Sequence, residues 1–330
     1  MSRRADLRRW SPVGAAVLLL IAGAHAGAAE TYPGRAVTIV VPFVPGGTTD
    51  LLARLLAGKL EQRLGKPFVV ENKPGAGALT AMVAVARAAP DGHTLMVSPS
   101  SAMAANVTLY KKLPYDPAAD FVPLALLVRT PFVLAVNPGL GVKSAGELVA
   151  LAKQKPGALA FASSGPGTPH HLFAELFQTL TGTQLTHVPY KGVAPALNDV
   201  VAGHVQVIFT DVAPALGMIA EGRLTALGVT SKARVDALPA TAPLDEAVPG
   251  FDMTSWQMAI APAGTPAEIV GVLNAEIGRV VAEPEIRTQA VQLGMLPVAP
   301  ATGMELAAFV KSEIGKWAAV VQKAGIAGSQ

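Results

Sequence analysis

Apolar and polar residues along this chain change their spacing in a recurring order. Ala36–Val41 is a short, mostly β-branched run, AVTIVV, which predicts a buried strand. Asp50–Leu64 then sets Leu52, Leu56, Leu60 and Leu64 four residues apart, the stripe of an amphipathic helix, and Gly65 ends it. Phe68–Glu71 predicts a second strand. A turn over Pro74–Ala78 opens a helix of small residues, and Thr94–Ser98 predicts a third strand. Strands alternating with helices in this order predict a parallel sheet with helices on its faces.

The order then restarts. Ala158–Ala162, Leu185–Pro189, Val205–Phe209 and Leu224–Thr230 read as strands, with helices over Thr168–Thr181 and Ala194–Ala202. Two apolar, extended stretches bounded by proline, near Thr130–Asn137 and Ser255–Ala261, are the expected connections between two lobes. Helices at about Pro266–Ala282 and Gly303–Ala324 return the chain to the first lobe. The expected fold is therefore α/β, with two lobes, a parallel-rich sheet in each, and two strand-like hinge crossovers. The boundaries expected are 30–131 plus 257–330 for lobe 1 and 132–256 for lobe 2.

Residues 1–29 break this rhythm. Arg3, Arg4, Arg8 and Arg9 precede an apolar run from Val13 to Ala24, and Ala24-His25-Ala26 fits an A-x-A cleavage site, with a second candidate after Ala29. This predicts a cleaved secretory signal peptide and a periplasmic protein. The segment also changes the charge. Removing it takes Lys+Arg from 26 to 22 and Asp+Glu from 23 to 22, so the remaining chain is nearly neutral. No nucleic-acid partner is expected. With no cysteine in 330 residues, disulfides and Cys-ligated metal sites are excluded.

Candidate chemistry falls on two glycine-rich loops, each between a strand and a helix. Phe43, Pro45, Gly46, Gly47, Thr48 and Asp50 lie in the first. Glycine lets backbone amides approach a ligand, and Thr48 or Thr49 could cap the helix, whose free N–H groups and dipole favour an anion. Ser164, Gly165, Gly167, Thr168 and His171 repeat the device, with Thr168 as the expected N-cap and Pro169 at the first helical position. Two such helix N-termini would face each other across a cleft, at the carboxyl ends of the strands. Ser100, Ser101, Tyr190 and Asp211 follow strands and complete the candidate lining. Asp211 could receive a ligand ammonium or hydroxyl, or cap the next turn. Lys191 could pair with a carboxylate, but such a lysine is more often a solvated loop charge. Of the adjacent His170 and His171, one is expected to face the cleft and the other the solvent. Trp256 is expected to pack at the hinge.

No catalytic or cofactor motif accompanies these loops. Ala162 and Pro166 flank Ser164 where a nucleophile elbow needs glycines, and adjacent histidines on a helix diverge too far to share a metal. Neither a third glycine of a dinucleotide fingerprint nor a phosphate-loop Gly-Lys-Ser/Thr occurs. No enzyme activity, metal or cofactor is expected.

The segments PFVPGGTTDLLAR, VVENKPGAGA, APDGHTLMV, FASSGPGTPHHLFAELF, HVPYKG and, after Trp256, APAGTP occur in one order across nearly the whole chain. In this the chain resembles the substrate-binding receptors of tripartite tricarboxylate transporters, the Bug receptors. The resemblance implies a two-lobed venus-flytrap receptor whose glycine-rich loops hold a ligand carboxylate as a pincer, largely through backbone amides, small polar side chains and ordered water. Val193 stands where the family commonly has glycine, and the segment around Asp211 varies, so the outer pocket departs from the pattern. The expected protein is a monomeric receptor for a small organic mono- or dicarboxylate, delivering it to integral membrane permease subunits. A periplasmic sensor presenting the bound acid to a signalling partner shares the same features.

Overall fold

A computed structural model describes residues 32–330, so the predicted signal peptide lies outside the described residues. The first strand, β1 (Val37–Val41), buries both faces: Ile39 and Val41 point to one apolar cluster and Val40 to another. This is why its sequence is continuously apolar rather than alternating. Helix α1 (Thr48–Leu64) covers one face with Ala53, Leu56, Ala57 and Leu60. Gly65 closes it at φ +72°, returning its N–H to the Glu61 carbonyl. The chain continues through β2 (Phe68–Asn72), α2 (Leu79–Ala86) and β3 (Thr94–Pro99). Beyond β3 a π-helical turn, Ser101–Ala105, runs into α3 (Asn106–Leu109).

Two long strands, β4 (Phe121–Thr130) and β5 (Phe132–Val136), are separated by Pro131 alone, and each belongs to a different sheet. The second lobe continues with α4 (Ala145–Gln154), β6 (Ala160–Ser163), α5 (Pro169–Thr181), β7 (Thr186–Pro189), α6 (Val193–Ala202), β8 (Val207–Asp211), α7 (Val212–Ala220) and β9 (Thr225–Val229). The chain crosses back through β10 (Ser255–Pro262) and ends with α8 (Ala267–Ala282), α9 (Pro284–Gln292), β11 (Leu296–Pro297) and α10 (Gly303–Lys323). The sheets run β11-β4-β10-β3-β1-β2 and β7-β6-β8-β5-β9. Each has a parallel side, β1 with β2 and β3, or β6 with β7 and β8. Each has an antiparallel side built from the strands that cross or return.

Thr230 ties the two crossings together. Its N–H donates to the Phe132 carbonyl (2.9 Å), its hydroxyl accepts from the Phe132 N–H (2.8 Å), and its carbonyl accepts from Met253 N–H (2.9 Å). Trp256 packs next to this crossing as expected, fully buried, donating its indole N–H to Glu313 at 2.6 Å. Trp317 donates to the same carboxylate at 3.2 Å and stacks on Phe173 of α5 at 5.7 Å. The last helix therefore spans both lobes rather than only completing the first.

Helices α4, α7 and α9 and strand β4 are not among the expected elements. Helix α4 does carry an apolar stripe, Ala145, Leu148 and Ala152, that sequence reasoning passed over, and β4 is a nearly continuous apolar run interrupted by Pro123. No helix among the described residues is long and apolar enough to cross a membrane.

Candidate functional site

The strand ends of both sheets converge on a small enclosed space of about 20 Å³, room for about one water. From the first lobe it is lined by Phe43, Val44, Gly47, Thr48, Thr49 and Asp50; from the second by Phe132, Ser164, Pro169, His170, Val193 and Asp211. Phe43 and Ser164 also line an adjoining vestibule of about 850 Å³, which Gly165, Tyr190 and Lys191 share. The lobes touch around it: a Cβ at Gly192 would lie 2.4 Å from Val44, and one at Gly47 would lie 3.1 Å from Val193.

The first loop is held from below. Asp50, buried on α1, accepts from Gly46 N–H (3.2 Å), from Arg54 through both carboxylate oxygens (3.0 Å each) and from Asn72 (2.9 Å). Asn72 also donates to the Phe43 carbonyl at 2.9 Å. Burial alone would raise the Asp50 pKa, but the bonds from Arg54, Asn72 and Gly46 hold it below the usual value. Asp50 thus borders the cavity while its carboxylate anchors the loop. Neither threonine caps α1 with its side chain; the N-cap is Gly47, at φ −92°. The N–H groups of the first helical turn consequently have no partner within the helix. The Thr48 hydroxyl, in a residue only 2% exposed, has none either among the described residues. Thr49 Oγ1 donates to Gln257 Oε1 at 3.3 Å. Pro45 and Gly46 are exposed and lie outside the lining.

The second loop is filled with its own hydrogen bonds. Ser163 Oγ accepts from Gly165 N–H (3.1 Å), and Gly167 N–H donates to His171 Nδ1 (3.1 Å). Thr168 occupies the N-cap position with Pro169 after it, as expected, but its hydroxyl donates to the Gly165 carbonyl at 2.7 Å instead of capping. Gly167 sits at φ +73°, where a Cβ would also meet Leu109 at 2.4 Å. No side chain fits there.

The expected division of the two histidines is corrected. Neither is solvated. His171 is buried and stacks on His187 (ring centroids 4.2 Å apart), which in turn stacks on Phe161 (4.8 Å), because α5 enters the lobe at once and buries its first turn. Its Nδ1 accepts, so its proton lies on Nε2, facing Glu175 at 3.5 Å. It therefore supports the loop from behind and does not line the cavity. Burial first, and His171 second, lower the His187 pKa to about 4. His170 faces the cavity. Its Nδ1 lies 2.8 Å from Ser164 Oγ and its Nε2 lies 3.1 Å from Asp211 Oδ2. Asp211 does not cap α7 with its side chain; the imidazole engages it instead.

The remaining candidates lie further out. Ser100 Oγ is 2.8 Å from Ser255 Oγ, a residue of the cavity lining, and the buried Ser101 hydroxyl has no partner among the described residues. Tyr190 presents to the vestibule but donates its hydroxyl to Asp199 at 2.6 Å, and burial followed by Asp199 pushes its pKa up to about 12. Lys191 is exposed at the same mouth. Sequence reasoning named Thr49 only as a possible helix cap and missed Phe132, Gln257 and the part taken by His170. Only His170 carried a local signal, its place two residues into a helix after a glycine-rich loop.

Ser164, His170 and Asp211 are the residue types of a hydrolytic triad. The neighbouring Gly165 and Gly167 amides are committed to Ser163 and His171, so they do not form an oxyanion hole. Two lobes closing through a double crossover on a polar cavity define a solute receptor. The family profile described as "Tripartite tricarboxylate transporter family receptor" matches residues 52–326, and the chain belongs to that family. It is 38% identical over 299 residues to protein BugT of Bordetella pertussis, covering 90% of this chain and 91% of BugT. Among solved structures it is similar to R. palustris Rpa4515 with adipate (TM-score 0.87, 36% identity, 90% of this chain and 99% of that one). It is also similar to MatC (Rpa3494) from Rhodopseudomonas palustris with bound malate (TM-score 0.84, 36% identity, 88% and 100%). The family is one of binding receptors, not enzymes.

Proposed function

We propose that this chain is a periplasmic receptor that closes on a small organic mono- or dicarboxylate and delivers it to the integral membrane permease subunits of a tripartite tricarboxylate-type transporter. One observation carries the ligand chemistry. The unpartnered Thr48 hydroxyl and the open first turn of α1 border an enclosed cavity, opposite Ser164 and His170. A buried hydroxyl without a partner costs about 1–3 kcal/mol, which an entering acceptor offsets. The helix terminus makes an anionic acceptor the favoured one. The adipate and malate held by two similar receptors support the same class.

In the closed arrangement the cavity is too small for a four-carbon acid, so entry requires the lobes to part, turning on the crossings near Thr130–Phe132 and Met253–Ser255. Export rests on the basic and apolar pattern of residues 1–29.

The test is a thermal-shift panel of malate, succinate, adipate, aspartate and benzoate on the mature chain, each paired with its amide or ester. An acid at 100 times its Kd stabilises by about 2.7 kcal/mol, which raises the Tm by roughly 2–4 °C per kcal/mol. Amides and esters are expected to give no shift. Equal shifts from acid and ester would remove the carboxylate from the argument.

A further inference from the structure

We propose that His170 is the charge partner of the bound carboxylate, and that capture loads one proton onto its ring. The inference rests on the carboxylate reading above. The hydrogen-bond chain dictates what each atom can do. Asp211 is a carboxylate and only accepts, so His170 Nε2 carries a proton toward it at 3.1 Å. In the neutral ring Nδ1 is then bare and accepts from the Ser164 hydroxyl at 2.8 Å. In that state Ser164 offers the cavity lone pairs, which repel a carboxylate. A proton added at Nδ1 reverses the bond: Nδ1–H donates to Ser164 Oγ, and the hydroxyl hydrogen is released to point at the ligand. One proton from the solvent thus supplies both a cation and a donor.

The charges around the ring require this. Across the cavity on α1, Asp50 is matched by Arg54 at 3.0 Å. Asp211, 5% exposed, has no ionic partner among the described residues other than His170. On its own helix, His171 and Glu175 face each other, and His171 stacks on His187 of β7. From β5 the Phe132 ring meets it in a T-shaped contact, with centroids 4.9 Å apart. A carboxylate entering a neutral-histidine cavity would therefore share a water-poor space with an unmatched Asp211, which is costly. Protonated His170 lowers the excess from two negative charges to one, which the Ser164 hydroxyl and the α1 terminus then face. Histidine is the side chain whose charge changes between pH 5 and 8, so the exchange is open at physiological pH.

Isothermal calorimetry decides the matter, using whichever of malate, succinate, adipate, aspartate and benzoate binds most tightly. Titration at pH 7.5 in two buffers of unequal ionisation enthalpy reads protons directly; uptake of about one proton is expected. From pH 7 to 8.5 the Kd is expected to rise by up to about tenfold per unit, the limit for one linked proton. His170→Gln can hydrogen-bond but cannot become charged. It is expected to lose both the uptake and the slope, with the larger affinity loss at pH 7. Should that variant not fold, buffer dependence and slope in the native chain still decide. Tight binding without proton exchange, or unchanged uptake in folded His170→Gln, overturns the proposal while leaving the receptor reading intact. Failure of every acid to bind at any pH sinks the receptor reading and this inference with it.

Discussion

The two glycine-rich loops look alike in sequence and do different work in the structure. The first, Phe43–Thr48, is anchored from beneath by Asp50 and Asn72 and leaves the Thr48 hydroxyl without a partner among the described residues. The second, Ser163–His171, has Gly165 and Gly167 donating into its own loop and shows the cavity side chains instead. The two loops therefore present unlike faces to the cavity: a helix terminus on one side, a Ser164–His170–Asp211 chain on the other. Glycine-rich sequence announces close backbone approach, but whether the freed amides serve a ligand or the loop depends on neighbours elsewhere in the chain.

The largest effect expected from breaking this asymmetry is at Gly47. Its φ of −92° is open to any residue, so Gly47→Val should fold normally, as circular dichroism would show. A Cβ there meets Val193 at 3.1 Å, so the added side chain props the lobes apart and covers the α1 amides. Loss of affinity of 100-fold or more, about 2.7 kcal/mol, is expected. Small-angle scattering should then show no compaction with a saturating acid. Retention of native affinity by the folded variant would falsify the first jaw.

Asp50→Ala should come next. It strands Arg54, Asn72 and the Gly46 N–H, and a cost of about 1–3 kcal/mol to stability is expected from such a network. Affinity should fall with it, because the loop is no longer held. The Asp50 pKa is lowered on folding, so its contribution is present above the unfolded carboxylate range and lost as acid protonates it. Native and mutant proteins should therefore begin to converge in stability as pH falls through about 4 and meet only below the lowered folded-state pKa; a gap that persists below that point indicates packing rather than charge.

Ser164→Ala tests the second jaw and should weaken acid binding by about 0.5–1.5 kcal/mol. Thr168→Ala, measured beside it, should cost less in affinity, because its hydroxyl bonds to the Gly165 carbonyl rather than bordering the cavity. If Thr168→Ala costs more than Ser164→Ala, the jaw has been assigned to the wrong residues.

On affinity the smallest effect is expected from behind the second loop, where the consequence is instead a pH dependence of stability. His187 falls from 6.5 to about 4 on folding, chiefly through burial. The unfolded chain therefore binds more protons between those values, so stability should decline as pH drops from about 6.5 toward 4. His187→Phe should flatten that part of the melting profile. An unaltered profile would assign the acid sensitivity elsewhere. Because this window lies below pH 6.5, it does not overlap the range in which the His170 exchange is read.

Much of this protein was determined locally, and therefore legible. The continuous apolar run at β1, the leucine stripe and terminal glycine of α1, and Pro169 at the start of α5 each encode their conformation within a few residues. The restart of the pattern showed two lobes, and the ordered motifs pointed to the receptor family. What only the tertiary structure decided depends on partners distant in sequence. Gln257 reaches Thr49 across 208 residues, Glu313 joins Trp256 to Trp317, and Asp211 meets His170 across 41. Which of two adjacent histidines entered the cavity was likewise not legible. On a helix neighbouring side chains diverge by about 100°, and the rotation of α5 was set by where Phe161, His187 and Phe132 already stood.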